Sequence, residues 1–299
     1  MILCVAANPS VDRLFTVERL VPGSIHRPAE FLQVPGGKGL NVARAAATLG
    51  GDVRAAALLG GHAGRWIAQE LAAESVPLDA IWAAAETRSS LSVAGAPEGL
   101  TEFYEHGLPV TAGEWAGFTE LVEELARRAS WMTLSGSLPV GAPADGYRRL
   151  AGLTRVAFDT REAGLDGRPA IVKLNATEAA TATSVDTSDE AGALTAAAAL
   201  HDRTGGAAIV TRGEDGAVMV APEGGRFAGR VDTRGSYPVG SGDAFLAGLV
   251  VALDAGAGWF EALRAALGAG AANAEQPGAG RLVRARAEEL AERADVHSV

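Results

Sequence analysis

Asp243 directly follows the glycine turn Gly240-Ser241-Gly242, where an apolar stretch with helical spacing begins. An acid at this place can cap a helix, because it accepts hydrogen bonds from free backbone N–H groups and suits the positive end of the helix dipole. The arrangement also fits catalysis. Glycines leave N–H groups bare and close together as a seat for an anion, and the acid can take a proton while phosphate charge is neutralised. This segment alone favours capping.

A second glycine turn lies in VPGGKGLNVARAAATLG, residues 34–50. Its glycines permit close backbone approach, Lys38 can neutralise an anion, and Asn41 can hydrogen-bond a hydroxyl. In ANPSVD, Asn8 and Asp12 follow the first apolar run, where carboxylates commonly bind paired sugar hydroxyls. The alternative for ANPSVD is an Asx turn before a hairpin.

Common nucleotide, hydrolase and zinc motifs are absent from the sequence. Lys38 is followed by Gly39 rather than Ser or Thr, which excludes a P-loop, and Phe245 stands where a dinucleotide fingerprint needs its third glycine. GxSxG and HExxH do not occur, and the five histidines are scattered. Hydrolase and zinc-enzyme functions therefore have little support.

Charge and cysteine usage limit the partners and the compartment. The net charge is -10, the wrong sign for a protein held to nucleic acid or anionic lipid by its overall field. Cys4 is the only cysteine, so an intrachain disulfide is impossible. The opening MILCVAA is too short for a signal-peptide core or a membrane span. We therefore expect a cytoplasmic protein without nucleic-acid or membrane partners.

Short apolar runs alternate with helical patterns along most of the 299 residues. This alternation predicts an α/β fold with a parallel sheet covered on both faces, and ligands in such sheets sit beyond the carboxyl ends of the strands. The predicted strands are 2–7, 53–59, 131–134, 156–158, 170–174 and 207–211. The predicted helices are 40–49, 64–73, 112–129, 145–153, 189–203, 244–253, 259–272 and one near 286–293.

Two regions, residues 11–34 and 87–106, interleave polar and apolar residues and predict strands exposed on one face. Together they could form a small sheet that covers the site and excludes water during group transfer. A solvated edge hairpin explains the pattern equally well. We expect one domain, residues 1–299, with these strands as an elaboration.

The sequence resembles the ribokinase-like (PfkB) carbohydrate kinases almost from end to end. PGGKGLNVARAAATLG is similar to the family's first signature and VGSGDAFLAG to its second, while ANPSVD, ETRSSL, SGSLP and TRGEDGA occur in the usual order. The closest branch contains 1-phosphofructokinase, tagatose-6-phosphate kinase and the minor 6-phosphofructokinase. The resemblance implies a three-layer α/β/α sandwich with a mostly parallel central sheet and a small β-sheet lid.

The resemblance also implies roles for the polar residues, and it favours catalysis over helix capping as the role of Asp243. Asp243 becomes the general base, and the backbone N–H groups of Gly240, Ser241 and Gly242 contribute the anion hole, which suits phosphoryl transfer. The residues implied at the acceptor sugar are Asp12, Gly37 and Asn41 for its hydroxyls, Lys38 and Arg88 for a phosphate already on it, and Ser137.

For the nucleotide, the resemblance implies ATP with Mg²⁺. The implied nucleotide-binding residues are Asn175, Thr211, Gly213, Gly216, Asn273 and Gly280, and Glu178 is the implied Mg²⁺ residue, acting through water. The sequence departs from the family at Leu174, where proline is general, and at Arg212, where leucine is usual. The segment TEFYEHG lacks the Lys or Arg of some relatives, for which His26 or Arg27 could substitute.

These implications predict an ATP-dependent kinase of a ketohexose phosphate: fructose 1-phosphate, fructose 6-phosphate or tagatose 6-phosphate. A kinase of an unphosphorylated sugar or nucleoside is the alternative within the fold, and Lys38 with Arg88 argues against it. A non-catalytic sugar or nucleotide sensor would need no base such as Asp243, and a structural assembly protein is weaker still. A homodimer through the lid is a further implication of the resemblance.

Overall fold

Two β-sheets organise the chain. The computed structural model describes residues 1–95, 99–107, 109–160 and 165–299. The described strands are β1 (Ile2–Ala6), β2 (Ser10–Val17), β3 (Glu30–Gly36), β4 (Val53–Gly60), β5 (Leu78–Ala83), β6 (Ser89–Gly95), β7 (Gly99–Tyr104), β8 (Trp131–Ser135), β9 (Arg155–Asp159), β10 (Ile171–Asn175), β11 (Ala207–Thr211), β12 (Ala217–Val220), β13 (Arg226–Arg230) and β14 (Asp295–Ser298). The described α-helices are α1 (Lys38–Thr48), α2 (Gly61–Ala73), α3 (Ala112–Ala126), α4 (Gly146–Leu150), α5 (Ala176–Thr183), α6 (Glu190–Thr204), α7 (Ser241–Asp254), α8 (Trp259–Ala274) and α9 (Arg284–Arg293).

The larger sheet has ten strands in the order β14-β13-β12-β11-β10-β9-β8-β1-β4-β5. The strands from β5 to β11 pair in parallel, and antiparallel pairings join β11 to β14 at one edge. All six predicted strands belong to the parallel part, which confirms a mostly parallel sheet.

Helices cover both faces of this sheet. In β1, Cys4 and Ala6 pack into the core under α1, α7 and α8, while Leu3 and Val5 pack into the core under α3 and α4. A third apolar cluster lies between β10, β11 and α6. Because successive side chains of a strand point to opposite faces, a strand buried on both sides has a continuous apolar run. This is why the central strands were predictable.

The smaller sheet has the order β3-β2-β6-β7 and is called the small sheet below. It joins the two regions predicted to carry partly exposed strands, although residues 96–98 of the second region lie outside the described residues. Residues 18–29 connect β2 to β3 without strand structure, so His26 and Arg27 do not lie on a strand. The register places Ser90 of β6 and Val34 of β3 beside Asp12 of β2.

Five elements were not predicted: β5, β12, β13, β14 and α5. The sequences of β13 (RFAGR) and of the edge strand β14 (DVHS) are short and carry charges, so they give neither an apolar run nor clear alternation. The predicted helix 145–153 is shorter in the structure and ends at Leu150. No helix among the described residues is long and apolar enough to span a bilayer.

Candidate active site

A cleft of about 970 Å³ lies between the small sheet and the carboxyl ends of the parallel strands. Its wall includes the amino-terminal ends of α1, α5 and α7, where backbone N–H groups lack helical partners. Fifteen of the predicted site residues line it: Asp12, Gly37, Lys38, Asn41, Arg88, Ser137, Asn175, Glu178, Thr211, Gly213, Gly216, Gly240, Ser241, Gly242 and Asp243. The fold thus brings together residues more than 200 positions apart.

Asp243 lies in the first turn of α7 and is almost fully buried, with 6% of its surface exposed. Its Oδ2 accepts a hydrogen bond of 2.9 Å from Nδ2 of Asn41 on α1. Burial raises the pKa of Asp243 to about 7, and the negative charge of Asp159 adds to this, whereas Lys38 and Lys173 oppose it. A carboxylate with such a pKa is suited to accept a proton near neutral pH.

The turn before Asp243 can be built only with glycine at its first position. Gly240, the N-cap residue of α7, has φ 85°, a conformation that disfavours other residues. A Cβ atom there would lie 2.5 Å from Cα of Ala279. The turn therefore packs against the segment that contains Ala279. The amino-terminal end of α7 faces the cleft, where its N–H groups can bind an anion.

A cluster of four charged residues, called the charged cluster below, faces this turn. Nζ of Lys38 lies 2.9 Å from Oδ1 of Asp159 and 3.9 Å from Oε1 of Glu178. Nζ of Lys173 lies 2.8 Å from the other oxygen of Asp159. A Cβ atom on Gly242 would be only 3.2 Å from Nζ of Lys173, so this ammonium group lies beside the glycine turn.

The sequence analysis missed Asp159 and Lys173, although both line the cleft and are buried. Burial opposes the charge of Asp159, but the two lysines outweigh it and hold the pKa of this carboxyl below its usual range. Burial would likewise lower the pKa of Lys38, but Asp159, Asp243 and Glu178 together raise it. Lys38 thus stays charged at the place where an anion would sit.

At the other end of the cleft, two serines orient Asp12. Ser10 Oγ donates to Oδ1 of Asp12 over 2.5 Å, and Ser90 Oγ donates to the same oxygen. The second oxygen, Oδ2, has no partner among the described residues and is left for a ligand hydroxyl. A Cβ atom on Gly36 would collide with the Asp12 carboxylate, so the adjacent glycine turn also shapes this position.

Arg88 lies at this same end of the cleft, apart from the charged cluster. Its Nη2 makes a long contact of 3.4 Å with the carbonyl oxygen of Asn8, and its Nε is buried without a partner in the described chain. Burial lowers the pKa of Arg88, which nevertheless remains a cation. Nδ2 of Asn8 donates to Oγ of Ser137 over 2.9 Å. Unsatisfied donors on a half-buried guanidinium favour an anionic ligand here.

Lys38 and Arg88 therefore have separate partners, one at the charged cluster and one beside Asn8. We expected both residues to bind the phosphate of the sugar. Arg88 fits this expectation better, because it has a donor that is unpaired among the described residues, whereas Lys38 is paired with Asp159. His26 and Arg27 are not among the residues that line the cleft, whereas Tyr104 and His106 are.

Two predicted nucleotide residues do not line the cleft. Asn273 is fully buried, and its Nδ2 donates to the carbonyl oxygen of Val239 over 3.0 Å and to Oγ of Ser241 over 3.4 Å. Gly280 packs against the backbone of Asn41. The structure thus places both behind the glycine turn of α7, where they support it.

Asn175 and Glu178 form a reciprocal cap at the start of α5. The Asn175 side chain accepts from the Glu178 N–H over 2.8 Å, and Oε2 of Glu178 accepts from the Asn175 N–H over 3.0 Å. This cap fixes the carboxylate of Glu178 at the cleft, with its Oε1 towards Lys38.

Residues 2–286 match the pfkB family carbohydrate kinases. The chain belongs to this family. The 1-phosphofructokinase of Haloferax volcanii is 34% identical over 271 residues, covering 88% of this chain and 88% of that protein. The 1-phosphofructokinase of Xanthomonas campestris pv. campestris is 32% identical, covering 84% of this chain and 83% of that protein.

Solved structures confirm the ribokinase-like fold. Phosphofructokinase-2 from Escherichia coli in complex with potassium superimposes with a TM-score of 0.89 at 25% identity, covering 97% of this chain and 98% of that one. Arabidopsis thaliana ribokinase, complexed with ribose and ATP, gives a TM-score of 0.77 at 18% identity, covering 97% and 98%.

The carboxylate of Glu178 in this pfkB-family cleft fits a magnesium ion. It lies at the cleft within the charged cluster, whereas both oxygens of Asp159 are paired with lysines, and Mg²⁺ typically uses one or two carboxylates together with water and substrate phosphates. Within the described residues, no group of three or more His, Cys, Asp or Glu side chains forms a complete metal cage. A magnesium ion held largely by water and phosphate requires none.

Proposed function

We propose that the protein transfers the γ-phosphoryl group of ATP to a hydroxyl group of a ketohexose phosphate, and that fructose 1-phosphate is the acceptor to test first. The observation that carries the proposal is the buried Asp243, with its raised pKa, between a glycine turn and two lysines. The 1-phosphofructokinase relatives favour fructose 1-phosphate over the other ketohexose phosphates.

In the proposed reaction, Asp243 accepts the proton of the acceptor hydroxyl as its oxygen attacks the γ-phosphorus. The new bond joins this oxygen to phosphorus, the bond from phosphorus to the ADP oxygen breaks, and the proton stays on Asp243 until it is released to solvent. The N–H groups at the start of α7 and the ammonium groups of Lys38 and Lys173 neutralise charge on the phosphoryl oxygens.

Mg²⁺, when bound through Glu178, would supply further neutralisation of the phosphate charge. The nucleotide would lie along Asn175, Thr211, Gly213 and Gly216, which line the cleft beyond the charged cluster. Asp12, with Oδ1 fixed by two serines, would hold sugar hydroxyls together with Asn41 and Gly37. Positioning of this kind supplies much of the rate in phosphoryl transfer.

We further propose that Arg88 receives the phosphate already present on the acceptor, because it is a half-buried cation with unused donors at the sugar end of the cleft. Arginine binds phosphate through two N–H groups at once, which makes it a stronger phosphate ligand than a single neutral donor.

The test measures ADP formation with fructose 1-phosphate, fructose 6-phosphate, tagatose 6-phosphate, free fructose and ribose, for the wild type and Arg88→Gln. We expect turnover with a phosphorylated ketohexose and a KM for it at least about tenfold higher in Arg88→Gln, as loss of a charge-assisted contact predicts. Arg13→Gln is the matched control, because Arg13 lies on the opposite face of the small sheet and pairs with Gln33.

Turnover with free sugars alone would instead support the kinase of unphosphorylated sugars. Absence of turnover across the panel, with ATP still bound, would support the sensor. An unchanged KM in Arg88→Gln would remove this residue from phosphate recognition.

We also propose that the small sheet acts as a lid over the sugar end of the cleft and that its outer face pairs with a second copy of the chain. Asp12 and Ser90 lie on its inner face, and both line the cleft. On the opposite face, Phe31 and Phe103 are exposed by 59% and 56%. Exposed apolar side chains grouped on one face are typical of interaction surfaces.

A further inference from the structure

Arg44 is a buried cation that the proposed reaction does not use. It lies on α1, about one turn before the carboxyl end of this helix, and only 4% of its surface is exposed. Its Nε and Nη2 donate to the two carboxylate oxygens of Glu74, which follows α2. Burying a guanidinium is costly unless its donors are satisfied, so a role beyond filling space is expected.

The remaining contacts of Arg44 go to two backbone carbonyl groups in segments that are far apart in sequence. Nη1 donates to the carbonyl oxygen of Pro35 over 3.2 Å and to that of Ala279 over 3.0 Å. Pro35 lies at the end of β3, and Ala279 lies in the segment between α8 and α9. One nitrogen atom therefore joins two segments 244 residues apart in sequence.

Each of these carbonyl groups belongs to a segment that touches a part of the site. Pro35 precedes Gly36, whose Cα approaches the Asp12 carboxylate so closely that a side chain would collide with it. Ala279 is the residue against which Gly240 packs, since a Cβ atom on Gly240 would lie 2.5 Å from the Ala279 Cα. Arg44 thus connects the backbone beside the sugar residue Asp12 with the backbone behind the glycine turn of α7.

We propose that Arg44 is a positioning residue that fixes the sugar-binding turn and the glycine turn of α7 relative to each other. The proposal rests on the proposed function, because the distance between these turns is the distance between the acceptor hydroxyl and the phosphoryl group. Glu74 compensates the buried charge and orients the guanidinium plane. A misplacement of about 1 Å between reacting groups can cost about a hundredfold in rate.

Lysine cannot replace arginine in this role, although it preserves the charge. The guanidinium presents its donors in a rigid planar fork and so reaches Glu74, Pro35 and Ala279 at once, whereas an ammonium group is a single flexible point. Arg44→Lys therefore tests the geometry of the connection and keeps its charge.

Arg264 provides a matched control. Its Nε and Nη2 donate to the carbonyl oxygens of Ala291 and Glu292 over 3.1 and 2.6 Å, so it also joins two elements, α8 and α9, through backbone carbonyl groups. Arg264 is not among the residues that line the cleft. Arg264→Lys should lower stability by breaking such a connection without changing the distance between the two turns.

The experiment measures kcat, both KM values and the urea unfolding midpoint for the wild type, Arg44→Lys and Arg264→Lys, with the acceptor that the wild type phosphorylates. We expect kcat to fall by about 10- to 100-fold in Arg44→Lys, with both KM values within about threefold of wild type. Arg264→Lys should keep the wild-type kcat at a comparable loss of stability.

A kcat equal in the two variants would overturn the proposal, as would a rise in KM for the sugar alone with kcat unchanged. If Arg44→Lys does not fold, Glu74→Gln replaces it, because this change loosens the guanidinium while leaving both carbonyl contacts possible. An unchanged kcat in Glu74→Gln would then overturn the proposal. Wild-type inactivity on every acceptor would refute the proposed function itself, and this inference with it.

Discussion

At the scale of single residues, the site depends on charges that are unfavourable in the folded protein. Asp243 is buried beside Asp159, and both carboxylates lie within reach of only two lysines. The raised pKa of Asp243 means that the folded protein resists its ionisation. A general base nevertheless has to be ionised to accept a proton, so the residue required for the proposed reaction reduces stability at the pH where it works.

This conflict gives a prediction for Asp243→Asn. Between the unfolded pKa of about 4 and the folded pKa of about 7, the folded wild type binds more protons than the unfolded chain, so its stability falls as pH rises through this range. Asp243→Asn has no carboxyl group to ionise at this position, so its stability does not fall with pH for this reason. We expect it to be more stable than wild type by an amount on the order of a few kcal/mol at pH 8 and by less at pH 5.

Urea unfolding at pH 5 and pH 8, together with kcat at pH 8, checks this prediction. We expect kcat to drop by at least about a hundredfold, since the proton acceptor is gone. In the wild type, kcat should decline as pH falls through about 7, because Asp243 becomes protonated. Equal stability differences at both pH values would show that the carboxylate is not strained by burial.

The residues of the site differed in how far sequence could reveal them. Asp243 and Lys38 were recognisable because each adjoins a glycine turn, and such turns are rare in apolar helices. Asp159 was not, because it is the last residue of an apolar run, where a polar residue looks like the strand's end. Lys173 was not, because it is a single polar residue in the middle of the short apolar strand β10. Only the parallel pairing of β9 with β10 brings their side chains together.

At the scale of elements, the helix starts supply the N–H groups together with Lys38, Glu178 and Asp243, and strands β9 and β10 supply Asp159 and Lys173. The three helices that begin at the cleft are α1, α5 and α7, and the first and last of these begin after a glycine with positive φ. The position of α7 depends on its contact with Ala279, which sequence could not show because the two segments are far apart in the chain.

Two glycines that flank α7 test this dependence. Gly240 precedes the helix and Gly256 follows it, with φ values of 85° and 88°. A side chain would meet Ala279 at Gly240 but nothing within 4 Å at Gly256. Gly256→Ala should therefore cost only the strain of a left-handed residue, about 1–2 kcal/mol, with kcat unchanged.

Gly240→Ala should cost more stability and lower kcat by about 100- to 1000-fold, because the turn must move away from Ala279 and take its N–H groups out of place. Thermal unfolding and kcat of both variants measure the two effects separately. A loss of kcat as large in Gly256→Ala would mean that general destabilisation of α7 explains the result.

Most helices and strands with many buried residues could be predicted from the sequence. Central strands and long helices gave clear patterns, because burial on both faces or on one side of a helix demands an apolar sequence. β13 and β14 lie at the antiparallel edge, where exposed residues relax this demand. β12 is fully buried and apolar over four residues, so solvent exposure does not explain why it was missed. α5 was missed because its sequence, ATEAATAT, buries little apolar surface, although its cap is well formed.

At the scale of the whole molecule, a net charge of -10 surrounds a cleft built to accept anions. Local cations must therefore outweigh the repulsion between the negatively charged protein and an anionic ligand. Lys38 and Lys173 lie at the glycine turn, and Arg88 lies at the other end of the cleft, beside the small sheet. The small sheet thus belongs to the site on one face, and its other face is exposed.

The exposed face of the small sheet carries a row of apolar side chains. The register pairs Phe15 with Phe31 and Leu91 with Phe103, and these four side chains lie on the face opposite Asp12. A symmetric dimer places the same surface of each subunit against the other, so an apolar face can cover itself. We predict that the wild type is a dimer in solution and that Phe31→Ser with Phe103→Ser converts it to a monomer.

Sedimentation velocity across a range of protein concentrations measures this change, with Val283→Ser as the control. Val283 is exposed by 51% at the start of α9, outside the small sheet, so its substitution removes exposed apolar surface without touching the proposed interface. We expect the dissociation constant to rise by at least about a hundredfold in the double variant, since two well-packed aromatic anchors typically contribute this much. A monomeric wild type, or a double variant that remains dimeric, would show that the outer face of the small sheet is not the interface.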